Sequence, residues 1–136
     1  MKKVLVFGTF DIFHRGHRDF LKQAKRHGEF LRVVVARDVT VARVKGHLPR
    51  YSEQERAAIV KASRLADEVV LGSLNDRYGV VRDFAPEVIC LGYDQKQSLA
   101  ELRRKLAETG LERTKIVRLV AYQPETFKSS LFKKID

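Results

Sequence analysis

Five short apolar runs alternate along the chain with segments of helical periodicity, and this alternation strongly constrains the fold. The apolar runs are residues 3–7, 30–38, 67–72, 87–92 and 115–122. Helical patterns lie at residues 18–28, after Ser52, at 73–84 and before Gly110. Short apolar strands flanked by helices are typical of a parallel sheet covered on both faces. The sequence therefore predicts an α/β fold: a doubly wound, Rossmann-like, five-stranded parallel sheet with helices on both faces, in a single domain over residues 1–136.

Local signals set the expected ends of these elements. The pairs Ser52–Glu55 and Ser98–Glu101 are capping boxes, in which serine and glutamate satisfy free backbone N–H groups at a helix start. Gly28 is the expected stop of the first helix. Residues 39–51 show little periodicity and contain Gly46, so they are predicted to form a loop.

Composition limits the class of protein and its partners. The net charge is +10, from 27 basic and 17 acidic residues, and it attracts nucleic acids or phosphorylated small molecules. The basic residues form no stripe interleaved with aromatic residues, so nucleic acid is not the expected partner. No run of about eighteen apolar residues is present, so no membrane span is expected. The lone Cys90 is predicted to be buried, and a cytoplasmic protein is expected.

Polar residues follow the predicted strands. In doubly wound sheets, ligands bind at the carboxyl ends of the strands, near the point where the strand order reverses. The polar segments and residues at these ends are Gly8–Asp11, Arg37, Asp38, Gly72, Ser73, Gly92–Gln95 and Tyr122. The sequence therefore predicts a ligand site at this edge of the sheet.

The ten residues GTFDIFHRGH, numbered 8–17, follow the first apolar run. Gly8 allows a tight turn and a close approach of the backbone to a ligand. Thr9 and Phe10 offer backbone N–H groups at the strand end. A helix starting near Gly16 would direct its free N–H groups and the positive end of its dipole towards an anion. This segment has the features of a phosphate-binding loop.

His14 and His17 lie three residues apart at this predicted helix start. Imidazole donates hydrogen bonds to phosphate oxygens and gains a charge when it is protonated. Fixed donors and cations stabilise the transition state of phosphoryl or nucleotidyl transfer, which needs no protein nucleophile when a substrate phosphate attacks. From spacing alone, a metal-binding pair and two ordinary surface or core histidines stay open as alternatives.

The segment GTFDIFHRGH resembles the GTFDxxHxGH signature of the cytidylyltransferase-like nucleotidyltransferases, within the larger HxGH superfamily. The segments VARDVTVARVKGHLP, SEQERAAIV, ADEVVLGS and VICLGYDQ are similar to the same family, in the same order. The resemblance implies that a substrate phosphate attacks the α-phosphorus of a nucleoside triphosphate and that pyrophosphate is released.

The resemblance also implies roles for individual residues. His14 and His17 would hold the triphosphate and stabilise the transition state, and Lys45 would contact the phosphates. Thr9 and Phe10 would bind phosphate and nucleoside through the backbone. The other residues assigned to nucleotide binding are Gly8, Asp11, Arg15, Gly16, Arg56, Asp94, Tyr122, Ser129 and Ser130.

Several of these assignments keep an alternative, and from sequence alone Lys45 would be a solvated loop lysine. Asp11 either orders the loop or contacts a metal ion or the substrate, and Arg56 has either a structural role or a contact with substrate phosphate. Asp94 either accepts hydrogen bonds from ribose or helps to hold a metal ion, or it caps a helix or turn. Tyr122 either stacks on the base or closes the core.

The tail YQPETFKSS separates two branches of the family. Cytidylyltransferases for glycerol, choline and ethanolamine phosphates carry an Arg-Thr-x-Gly-Ile-Ser-Thr/Ser motif here, and this chain lacks its arginine. Ser129 and Ser130 match the serine-rich helix start that binds triphosphate in the family, or they simply cap the last helix. The tail, the loop with Lys45 and the LGYDQ segment are more similar to archaeal-type FAD synthases.

This resemblance implies ATP and FMN as substrates, with Mg²⁺ bound to the triphosphate. A CTP-dependent transferase acting on glycerol 3-phosphate or a similar alcohol phosphate, and a non-catalytic nucleotide- or RNA-binding module, are the alternatives. FMN requires an apolar pocket for its isoalloxazine ring, for which Phe13, Tyr51 and Phe127 are candidates. A homodimer is expected, since relatives are often dimers.

Overall fold

The computed structural model describes residues 1–76, 78–92 and 99–121. Its strands are β1 (Lys3–Gly8), β2 (Phe30–Val35), β3 (Glu68–Leu71), β4 (Val88–Leu91) and β5 (Lys115–Arg118). Its helices are α1 (Arg15–Lys25), α2 (Asp38–Lys45), α3 (Glu53–Ala62), α4 (Gly79–Phe84) and α5 (Leu99–Glu108). The strands form one parallel sheet in the order β3-β2-β1-β4-β5, which confirms the predicted α/β class and the five-stranded parallel sheet.

The central strand β1 is buried on both faces of the sheet. Val4 and Val6 belong to one core cluster, and Leu5, between them, belongs to the other. All three are 0% exposed, because successive side chains of a strand point to opposite faces and each face is covered. This double burial explains why the sequence of β1 is a continuous apolar run rather than an alternating one.

The chain reverses its direction of winding at β1. From β1 it passes outward to β2 and β3, and it then returns to place β4 on the other side of β1. The carboxyl ends of β1 and β4 therefore lie side by side where the two halves diverge, at Gly8 and next to Gly92. In this topology that point is the expected ligand crevice.

The prediction of a loop over residues 39–51 is wrong in its first half, because α2 occupies Asp38–Lys45. Of this helix only Val41 is buried, so the sequence shows little amphipathic pattern. Gly46 ends the helix with a φ of 83°, a left-handed conformation that glycine adopts without strain. An acid in the first turn and Arg43 and Lys45 in the last turn complement the helix dipole.

Other element boundaries also differ from the predictions. Helix α1 begins and ends three residues earlier than predicted, and β2 ends at Val35. Helix α4 begins at Gly79 rather than at Ser73, because the Ser73 hydroxyl accepts hydrogen bonds from two following N–H groups and closes a turn. Strand β5 ends at Arg118, since the Val120 N–H and carbonyl are bonded to the side-chain amide of Gln23 on α1.

Two local predictions are confirmed. Ser52 accepts a hydrogen bond from Glu55 N–H while the Glu55 carboxylate accepts from Ser52 N–H, which is the predicted capping box. Cys90 is 0% exposed, and burial raises the pKa of its thiol to about 12. The second capping box includes Ser98, which lies outside the described residues. Within the described part of the chain, no helix has the length and apolar character needed to span a bilayer.

Gly28 has a different role from the predicted helix stop. Helix α1 ends at Lys25 with Arg26 as its cap, so Gly28 lies in the turn that leads into β2. A Cβ atom at Gly28 would lie 2.6 Å from the carbonyl oxygen of Lys2 and 2.7 Å from a methyl carbon of Val4. The position therefore requires glycine because the backbone passes directly against the start of β1.

The variant Gly28→Ala is expected to lower the free energy of unfolding by about 1–3 kcal/mol, because the added methyl group meets backbone that cannot move aside. Gly72→Ala is the matched control, since the nearest atom to its new Cβ would be at an ordinary contact distance of 3.6 Å. Urea denaturation of both variants measures the difference. Equal stability of the two would show that the turn and β1 separate at little cost.

Candidate active site

The loop between β1 and α1 folds back over the end of β1. Phe10 has a φ of 53°, in the left-handed region that residues with side chains rarely adopt. Its ring is 3% exposed and lies against Gly8, where an added Cβ atom would come within 2.6 Å of the ring. Gly8 is therefore required because the Phe10 ring occupies the space of a side chain. Backbone strain of this kind is concentrated at functional sites.

His14 and His17 together cap the start of α1. The Nδ1 atom of His14 accepts a hydrogen bond from Gly16 N–H at 3.0 Å. The Nδ1 atom of His17 accepts from His14 N–H at 3.3 Å, which completes a capping box. The two rings stack with centroids 3.9 Å apart and planes inclined by 26°. The predicted helix start near Gly16 is confirmed, and imidazoles take the place of the usual serine and glutamate.

The capping bonds fix the tautomers of both rings. An Nδ1 atom that accepts from a backbone N–H carries no proton, so a neutral ring must carry its proton on Nε2. Protonation of either His14 or His17 would turn this acceptor into a donor and break the cap. In the neutral state both rings are therefore Nε2–H donors.

The environment of His17 favours this neutral form. Burial, the neighbouring His14 and the positive charge of Lys45 lower the pKa of His17 from 6.5 to about 3, against the opposing effect of a hydrogen bond with the Ile12 backbone. His17 is therefore uncharged at physiological pH. Its Nε2–H group donates a hydrogen bond that the Ile12 backbone accepts in this structure.

Aromatic rings hold His17 in place. The Phe10 ring meets the His17 ring edge-on at 5.4 Å, and the Phe13 ring stacks on it at 5.7 Å with an angle of 15°. The guanidinium carbon of Arg18 lies 5.3 Å from the centre of the Phe13 ring. These contacts restrict the imidazole and also supply the burial that lowers its pKa.

Asp11 orders the neighbouring segment. Its two carboxylate oxygens accept hydrogen bonds from the N–H groups of Arg50 and Tyr51, at 2.8 and 2.9 Å. The segment before α3 is thereby attached to the loop that carries the histidines. Of the two roles considered for Asp11, the structure supports the ordering role.

Arg56 lies in the first half of α3 and is 0% exposed. Its guanidinium donates to the carbonyls of Tyr51 and Thr9, at 3.0 and 2.9 Å. It also donates to the carboxylate of Asp38 at 2.7 Å. Because all three of these partners belong to the protein, the structure supports the structural role of Arg56 over a direct contact with phosphate.

Two further charged residues, Arg37 and Glu53, extend this network. The Glu53 carboxylate accepts from Asp38 N–H and from the Arg37 guanidinium, both at 2.8 Å, and these bonds lower its pKa. Arg37 also donates to the carbonyl of Gly72 at the end of β3, at 2.7 Å. The acid in the first turn of α3 was visible in the sequence, but its partners lie too far along the chain for any local pattern to reveal them.

Lys45 is the last residue of α2 rather than part of a loop as predicted. Its side chain is exposed, and its charge is among the causes of the low pKa of His17. The structure thus brings Lys45 into electrostatic contact with His17.

The remaining predicted residues divide into two groups. Arg15 is exposed on the first turn of α1, and Gly16 supplies the N–H that His14 accepts. Four predicted residues lie outside the described residues, and their roles stay predictions: Asp94, Tyr122, Ser129 and Ser130. At the end of β4, the Gly92 carbonyl accepts from Arg118 at 2.9 Å, a contact that the sequence did not indicate.

A family model described as cytidylyltransferase-like matches residues 5–135. The chain belongs to this family and is a nucleotidyltransferase, as the resemblance of its first loop implied. It is similar to FAD synthases: the protein from Thermoplasma volcanium is 40% identical over 134 residues, covering 98% of this chain and 93% of that protein. The FAD synthase from Aciduliprofundum boonei is 40% identical over 139 residues, covering 100% and 92%.

Solved structures agree on the fold. A lipopolysaccharide core biosynthesis protein from Thermoplasma volcanium matches with a TM-score of 0.84 and 41% identity, covering 90% of this chain and 99% of that chain. A pantoate-β-alanine ligase from Francisella tularensis matches with a TM-score of 0.68 and 17% identity, covering 99% and 66%. The second likeness concerns the fold alone.

Acid is expected to destabilise the protein through His17. The unfolded chain binds the His17 proton with a pKa near 6.5 and the folded chain with a pKa of about 3, so between these values the unfolded state holds more protons. This contribution to stability is complete above pH 6.5 and is lost as the pH falls towards 3, by up to about 1.4 kcal/mol per pH unit. Urea denaturation between pH 7.5 and 4 measures it. His17→Asn, which keeps an acceptor but does not titrate, should show a shallower slope; parallel curves would contradict the assignment.

Arg56→Lys is expected to lower the free energy of unfolding by about 2–4 kcal/mol, because an ammonium group cannot reproduce the three directed bonds and leaves buried acceptors unsatisfied. The matched control is Arg104→Lys on the exposed face of α5, where the ion pair with Glu108 is solvated and the change should stay within about 0.5 kcal/mol. Thermal unfolding compares the two. A loss no larger than that of the control would show that the network contributes little.

Proposed function

We propose that this nucleotidyltransferase transfers the adenylyl group of ATP to the phosphate of FMN, giving FAD and pyrophosphate. The single structural observation that carries the proposal is the pair of stacked histidines at the start of α1, of which His17 is uncharged. The similarity to FAD synthases over nearly the whole chain supports the choice of substrates. Because both substrates are intracellular metabolites, we also infer that the enzyme acts in the cytoplasm.

The reaction is an in-line displacement at the α-phosphorus. An oxygen of the FMN phosphate forms a new bond to this phosphorus, and the bond to the oxygen that bridges the α- and β-phosphates breaks. The leaving pyrophosphate takes the electron pair. The Nε2–H group of His14 is suited to donate to the phosphate oxygens on which negative charge grows, that of His17 would do so in exchange for its bond to the Ile12 backbone, and Lys45 adds a full positive charge. The His14 Nε2 atom is buried in the structure.

Mg²⁺ enters this proposal as part of the substrate. In residues 1–76, 78–92 and 99–121, no group of three His, Cys, Asp or Glu side chains is placed to hold a metal ion. Asp11 already accepts two backbone hydrogen bonds. Mg²⁺ binds preferentially to phosphate oxygens and water, so we propose that it arrives on ATP.

A pyrophosphate-release assay tests the proposal. ATP and CTP are each combined with FMN, glycerol 3-phosphate and buffer alone, in the presence of Mg²⁺. Turnover is expected with ATP and FMN, and the product should have the mass of FAD. Preference for CTP with glycerol 3-phosphate would instead support the cytidylyltransferase alternative. No turnover in any combination, together with salt-sensitive RNA binding, would support the non-catalytic alternative.

In the same assay, His14→Asn separates catalysis from stability. Asparagine is a good N-cap residue and can accept the Gly16 N–H in place of Nδ1, but it has no group at the Nε2 position. We expect kcat to fall by about 100-fold or more, by analogy with the loss of one fixed transition-state donor, while the melting temperature stays near that of the wild type. A variant with normal kcat would remove His14 from the mechanism.

A further inference from the structure

Exposed apolar side chains are concentrated in one part of this highly charged protein. Nine large apolar side chains are exposed in the described part of the chain, and five of them lie between residues 39 and 59. Val44, Leu48 and Tyr51 are exposed by 76%, 67% and 38% and lie within eight residues of one another. These three residues are called the apolar rim below. Exposed apolar side chains that recur within one short segment make it a candidate binding surface.

The segment that carries the apolar rim is attached to the histidine loop. Asp11, within that loop, accepts hydrogen bonds from Arg50 and Tyr51 N–H. Arg56 donates to the Tyr51 carbonyl at 3.0 Å. At the other end of the segment, Lys45 acts electrostatically on His17. The apolar rim therefore lies beside the phosphate-binding loop rather than on a remote surface.

The charges around the apolar rim match a particular kind of ligand. Arg43 and Lys45 flank Val44, and Arg50 precedes Tyr51. A ligand that fits this surface has a flat apolar part and an anionic group on a short linker. FMN has this composition, with an isoalloxazine ring joined through a ribityl chain to a phosphate.

We propose that the apolar rim binds the isoalloxazine ring of the acceptor FMN while the FMN phosphate enters the histidine loop. This inference rests on the proposed function and adds the part of the protein that selects the acceptor. Of the residues expected to form the flavin pocket, Tyr51 belongs to the rim. Phe13 does not, because its ring stacks on His17 and lies under Arg18. Phe127 lies outside the described residues.

Val44→Ser and Leu48→Ser test the proposal without disturbing the core, since both side chains are exposed. Each is expected to raise the KM for FMN by about tenfold while kcat and the KM for ATP stay within about twofold of the wild type, the pattern of a lost binding contact. Val120→Ser is the matched control. Val120 is 77% exposed and follows β5, at the opposite edge of the sheet from β3, and its variant should keep the wild-type KM.

Lumiflavin isolates the contribution of the ring, because it carries isoalloxazine without the ribityl phosphate. It should inhibit the wild type and Val120→Ser competitively against FMN, with an inhibition constant that rises about tenfold in Val44→Ser and Leu48→Ser. Failure of the wild type to use FMN would overturn both this inference and the proposed function. An active wild type whose two rim variants keep normal constants for FMN and lumiflavin would overturn the inference alone.

Sedimentation of the same variants tests whether a second copy of the chain, instead of FMN, covers the apolar rim. The wild type and both rim variants should have the same mass in solution, whether or not that mass is the expected homodimer. A rim variant that dissociates would show that a second copy of the chain covers the rim, and it would overturn the proposal.

Discussion

One buried guanidinium holds the ligand-binding edge of the sheet together. Arg56 is bonded to the carbonyls of Thr9 and Tyr51 and to the Asp38 carboxylate, and it is fully buried. A buried charge that lost these partners would cost several kcal/mol. The loop after β1, the first turn of α2 and the start of α3 are therefore fixed relative to one another. The positions of Lys45, at the far end of α2, and of the histidines both depend on this arrangement.

The histidine pair combines a structural and a chemical task in the same rings. Serine or aspartate would cap α1 as well, and helix starts usually use them. Imidazole differs because it has a second nitrogen, Nε2, that can make a directed N–H bond while Nδ1 accepts from the backbone. Residues that break a local preference in this way are concentrated at functional sites. His14 and His17 are therefore best explained by the chemistry of the site.

The sequence predicted those parts of the structure that depend on local pattern. Strands buried on both faces appear as continuous apolar runs, and so the order of strands and helices was correct except at α2. Helix α2 buries only Val41 and is held by contacts such as Asp38 with Arg56, which no local pattern encodes. The burial of Arg56 was equally hidden, because its partners lie 47, 18 and 5 residues away along the chain. Sequence similarity marked Arg56 as important without showing why.

In this site, the carboxylates make structural hydrogen bonds and the exposed cations supply the positive charge. The carboxylates of Asp11 and Asp38 accept hydrogen bonds from backbone N–H groups and from Arg56, respectively. His17 is neutral, so the positive charge that attracts a triphosphate comes from exposed cations such as Lys45 and Arg15. A protonated His17 would add a second charge among aromatic rings, where burial opposes it, and would also lose the cap of α1. The neutral His17 ring satisfies the start of α1, and Lys45 supplies the positive charge beside it.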